Sequence, residues 1–109
     1  MPYATVLMIL VAAAVLEAGG DALVRAGLYS TNAAARAGFL LAGAAILFIY
    51  GYVVNAPPWD FGRLLGVYVA FFFVIAQGIS WSGFGHKPSA SVLFGGAFIV
   101  LGGYIVSRG

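Results

Sequence analysis

Leu16-Glu17-Ala18-Gly19-Gly20-Asp21-Ala22-Leu23-Val24-Arg25 is the stretch on which the reading of this chain turns. It ends an apolar run that begins at Tyr3. Two carboxylates and a guanidinium therefore lie inside, or at the rim of, a membrane helix. Glu17, Asp21 and Arg25 recur at i, i+4 and i+8, so they project from one side of that helix. A charge at bilayer depth is expensive and needs a partner or a task.

Composition sets the frame around this stretch. The chain has 109 residues, 63% hydrophobic and 7% charged. A soluble domain carries about 25% charge, so this one belongs in a membrane. The formal charge of +2 is small and scattered, which argues against nucleic acid as a partner. There is no cysteine and one histidine, so thiolate sites, redox chemistry and a metal centre are not expected. Neither a cofactor nor an enzymatic reaction is expected. The start of the chain lacks a basic n-region, and its apolar segment reads as a retained helix.

Four apolar segments follow one another in a single domain spanning 1–109. They cover about 3–28, 33–54, 61–84 and 90–106. Ser30, Thr31 and Asn32 supply turn and capping chemistry before the second. Asn55 closes that segment, and Pro57-Pro58 cannot continue it. Gly85-His86-Lys87-Pro88-Ser89 is the last break, and its lone histidine reads as solvated. Each segment is close to the roughly 20 residues that span a bilayer. None alternates with period two, so the expected fold is an all-α membrane protein of four transmembrane helices. Arg63 and Arg108 fall on one face of the membrane, and Arg25, Arg36 and Lys87 on the other. So even a balance predicts insertion in both orientations. Four helices are too few to enclose a cavity around Glu17, so a homodimer, antiparallel in its simplest form, is expected.

With these residues in view, the chain resembles the small multidrug resistance superfamily along nearly its whole length. Glu17, Gly20 and Arg25 look like its first-helix motif. Ser80-Trp81-Ser82-Gly83-Phe84-Gly85-His86-Lys87 looks like the end of the third helix with its exit loop. Gly95-Gly96 and Gly102-Gly103 look like the fourth-helix glycine heptad used for dimer packing. Gly62-Arg63 followed by Tyr68 is similar to the YnfA-like branch. The resemblance implies proton-coupled export of small organic or guanidinium-type cations. It also implies residence in a bacterial or archaeal cytoplasmic (inner) membrane. Two positions depart from the pattern: Leu65 replaces the first aromatic of a third-helix pair, and Ala70-Phe71-Phe72 replaces a Gly-x-Gly bend.

Each candidate has a sharper and a plainer reading. Glu17 is the coupling carboxylate, because burial disfavours a charged acid and so favours proton exchange. Its plainer role is structural. Asp21 is expected to pair with Arg25 at i+4, with a proton shared between Asp21 and Glu17 as the alternative. Tyr68, Tyr50 and Trp81 could hold an organic cation on their aromatic faces, or could be ordinary apolar and interfacial residues. Gln77 is expected to hydrogen-bond a neighbouring helix. Arg63 reads as a snorkelling arginine paired with Asp60, or as an anion or lipid-headgroup contact. Gly95, Gly96, Gly102 and Gly103 are read as the dimer seam, while Gly43 is expected to face lipid or a cavity. Flipping of a lipid-linked group, or a non-transporting assembly role, are the alternative functions.

Overall fold

The computed structural model describes residues 1–109 as four helices: α1 (Tyr3–Leu28), α2 (Ala33–Val54), α3 (Phe61–Phe84) and α4 (Ala90–Ser107). All four are long and apolar enough to cross a membrane, and there is no strand. The boundaries follow local chemistry. The Asn32 side chain accepts from the Ala35 N–H at 3.0 Å, and the Ser89 hydroxyl accepts from the Val92 N–H at 3.2 Å. Both are N-caps that satisfy donors left free in the first turn. At the end of α2, Asn55 Nδ2 donates to the Gly51 carbonyl at 2.8 Å. Gly85 ends α3 at φ 71°, where a side chain would be strained.

The helices form a layer with extents of 48 × 34 × 18 Å. α1 lies between α2 and α3, and α4 touches only α3. α1 and α3 run parallel, so the Tyr3 ring lies tilted against that of Trp59 at one end and Arg25 reaches Phe84 at the other. Few residues are buried, and those cluster toward the end that carries Pro57. Val6, Leu10, Ala13, Ala14, Val54, Leu64, Val67 and Tyr68 form that core.

The glycines set the closest helix approaches. A Cβ on Gly43 would stand 3.0 Å from the Gly20 carbonyl oxygen and 2.7 Å from a Val24 methyl. The expectation that Gly43 faces lipid or a cavity is therefore corrected: it is where the α1 and α2 backbones meet. The fourth-helix pairs divide. A Cβ on Gly96 would strike the Phe73 ring, and one on Gly103 would strike Ala70. Gly95 and Gly102 have open space around them. Gly96 and Gly103 thus serve α3–α4 packing within the chain. Adjacent helical residues point about 100° apart, so one member of each pair meets α3 and the other turns away.

Arg63 does not pair with Asp60. Its Nη2 donates to the Ser107 carbonyl at 2.8 Å, and its guanidinium lies 4.0 Å from the Trp59 ring centroid. The last carbonyls of a helix lack intrahelical donors and carry the negative end of its dipole, which favours a cation there.

Candidate functional site

Glu17 sits where three helices meet. Its position on α1 is half-buried between α2 and α3. From α3, the Tyr68 hydroxyl donates to Glu17 Oε1 at 2.7 Å. The same Tyr68 hydroxyl also lies 3.4 Å from the Ala13 carbonyl oxygen. Tyr68 is 4% exposed, so packing holds the hydroxyl in place. From α2, the Tyr50 ring stands 5.6 Å from the Tyr68 ring. Phe72, one turn beyond Tyr68, extends the aromatic wall with its ring 6.1 Å away. A short hydrogen bond to a carboxylate is among the stronger kinds.

No Lys or Arg nitrogen lies within 4.0 Å of Glu17 or of any other side-chain carboxylate. The expected Asp21–Arg25 ion pair is not formed. Arg25 instead lies over two rings, 5.2 Å from the Tyr29 centroid and 5.6 Å from that of Phe84. Guanidinium planes bind aromatic faces well, and Arg25 stands in the last turn of α1, where the helix dipole favours a cation. The i, i+4 spacing permitted a pair, but the third helix supplied a competing surface.

Asp21 and Arg25 both line a groove of about 330 Å³ between α1 and α3. Phe72, Ser80, Phe84 and His86 line its other side. The groove opens toward the Gly85–Ser89 loop, one helical turn above Glu17. Two charges without an ion pair and a hydroxyl give the groove a polar side, which suits water better than hydrocarbon. Below Glu17 the tight core closes the layer.

Of the candidate residues, the structure brings together Glu17, Tyr68 and Tyr50, with Asp21 and Arg25 above them. Trp81 does not join them. It is 56% exposed, and its ring faces the Lys87 ammonium at 5.9 Å. Gln77 makes no hydrogen bond to a neighbouring helix. Both miss the site for one geometric reason. The site side of α3 is the row Tyr68, Phe72, Ala76, Ser80, Phe84, spaced by four residues, and Gln77 and Trp81 each stand one residue off it. Phe72 and Ser80 were overlooked by sequence reasoning, although counting in fours from Tyr68 reaches both.

Comparison of the chain with family models, with curated proteins and with solved structures gives no match.

Proposed function

We propose that this chain is one half of a proton-coupled exporter of small organic or guanidinium-type cations. It would work as an antiparallel homodimer in the cytoplasmic membrane of a bacterium or archaeon. One observation carries the reading: the Glu17 carboxylate, deep in an apolar helix, accepts from Tyr68 at 2.7 Å and has no cation of its own within 4.0 Å. Such a group is completed either by a proton or by a positively charged ligand. The two compete for one charge, so exchange needs no separate coupling device. The aromatic walls from Tyr50, Tyr68 and Phe72 suit an organic cation. The likeness to small multidrug resistance proteins in the first-helix motif supports the same reading.

The thin layer supports a dimer, because an 18 Å slab cannot enclose a site on both sides. Two such layers, inverted relative to each other, supply the inverted repeat that larger transporters carry within one chain. The open groove of one protomer would then share a membrane face with the sealed end of its partner. If the partners exchange conformations, the opening changes face.

The test is current on solid-supported membranes loaded with reconstituted protein, with guanidinium as the probe under a pH gradient. Wild-type protein should carry current that grows as pH rises, since deprotonation creates the binding charge. Glu17→Gln should keep helical content and dimer fraction but carry no proton-driven current. Current in Glu17→Gln equal to wild type would overturn the assignment.

A further inference from the structure

A second space lies toward the Pro57 end of the layer and shares no lining residue with the charged groove. It is an apolar slot of about 510 Å³ shared by α1, α3 and α4. Its walls run from Tyr3 to Val11, from Val67 to Ile75, and from Val100 to Ser107. At about 1.5 Å per residue, each wall is about 10–12 Å long. A hydrocarbon core of about 30 Å gives each leaflet about 15 Å. The slot starts at the rim, at Tyr3 and Ser107, and stops near the middle of the helices. A partner helix would need the full thickness, whereas one acyl chain needs half of it.

The rim end of the slot carries the chemistry of a headgroup site. The Trp59 ring lies 5.6 Å from Tyr3 and 4.0 Å from the Arg63 guanidinium. Such rings sit naturally at headgroup level. Arg63 reaches the slot through its bond to the Ser107 carbonyl. Its Nε is buried and has no acceptor. Arg108 follows Ser107 directly in the chain. Neither arginine has a carboxylate within 4.0 Å, although Asp60 stands on the adjoining turn. A buried donor without an acceptor is rare, and a guanidinium matches phosphate oxygens well.

We propose that this slot binds one acyl chain of an anionic phospholipid, with the phosphate held by Arg63 and Arg108. The site differs from the Glu17 site in position and chemistry, and it stands whether or not the chain transports cations. Charge complementarity selects the headgroup, and the half-bilayer length selects the chain.

Native mass spectrometry of the detergent-solubilised protein tests this directly. The probes are phosphatidylglycerol and phosphatidylcholine with identical acyl chains, and inorganic phosphate. Wild-type protein should retain phosphatidylglycerol at least about tenfold more tightly than phosphatidylcholine, the scale of one hydrogen bond to a charged group. Inorganic phosphate should not be retained, because the acyl chain supplies the rest of the affinity. Arg63→Gln and Arg63→Lys report on the headgroup: the first should remove the preference, and the second should keep part of it. Val74→Trp fills the slot from an exposed position without touching Arg63. It should lower retention of both lipids while circular dichroism stays unchanged. Equal retention of the two lipids by wild type would overturn the proposal. So would retention unaffected by Val74→Trp, or a Val74→Trp protein that changes its dimer fraction instead of its lipid content. Tight binding of inorganic phosphate would mark an anion site without an acyl chain, and would overturn it as well.

Discussion

The two ends of the helix layer handle polarity in opposite ways. At the end carrying Pro57, side chains from three helices close on one another. Val6 and Leu10 are fully buried there, and Arg63 is tied to a helix terminus through one of its nitrogens. At the end carrying His86, α1 and α3 stand apart, and Asp21 and Arg25 face an open groove with no ion pair. Glu17 lies at the boundary, tied to the sealed side by Tyr68 and one turn from the open side. A carboxylate buried in the sealed end would have no route for ligand exchange. One in the open end would have no packing to hold its geometry. The boundary gives Glu17 both.

The sealed end should break most easily. Leu10→Ala removes a fully buried side chain at the centre of the core. It should cost about 2 kcal/mol, the low end for such truncations, because lipid is as apolar as the core and only packing is lost. Reversible unfolding in mixed micelles measures it. Gly43→Leu comes next. It forces the α1 and α2 backbones apart and should cost about 1–3 kcal/mol. Gly102→Leu, with open space around its site, should leave the monomer fold within about 0.5 kcal/mol. It should act on dimer fraction instead, read by crosslinking. If Gly102→Leu destabilises the fold as much as Gly43→Leu, the placement of Gly102 on the outward side of α4 is wrong.

At the boundary, Tyr68→Phe keeps the ring and deletes one hydrogen bond. The lost donor served the charged form of Glu17. Cation affinity at a fixed pH should therefore fall roughly tenfold, and its onset should move to higher pH. Binding isotherms at several pH values read both. An unchanged onset would separate the hydroxyl from the exchange chemistry. The smallest effect belongs to the open end. Asp21→Asn breaks no ion pair and no hydrogen bond, so stability should change by less than about 0.5 kcal/mol. Current should fall only in part, because Asp21 lines the approach rather than the site. A larger loss of stability would restore the Asp21–Arg25 pair.

The helices were legible in the sequence because their punctuation is chemical. Asn32, Pro57-Pro58, Gly85 and Ser89 end or begin helices by local rules, and the apolar runs between them have membrane length. The side of α1 that bears Glu17 was legible from spacing alone. What spacing could not supply was the identity of neighbours across helices. Asp21 and Arg25 share a face, yet Tyr29 and Phe84 take the guanidinium. Four glycines share one helix, yet Gly96 and Gly103 meet Phe73 and Ala70 on α3, and Gly95 and Gly102 meet nothing in the chain. Tyr68 was placed by resemblance, and its hydroxyl's reach to Glu17 depends on the parallel register of α1 and α3, which no local signal encodes.

The Arg63–Ser107 clasp has a consequence for how the protein is made. Donor and acceptor are separated by 44 residues. At about 5–20 residues per second of synthesis, Arg63 waits roughly 2–9 seconds for its carbonyl partner to leave the ribosome. Until then α3 sits in the bilayer with a guanidinium at its rim and nothing from α4 to receive it. α4 touches no other helix, so its arrival and the quenching of that arginine are one event. A chain that stops short of Ser107 leaves the Arg63 guanidinium with the Trp59 ring as its remaining contact, so the clasp closes only when the last turn of α4 is in place.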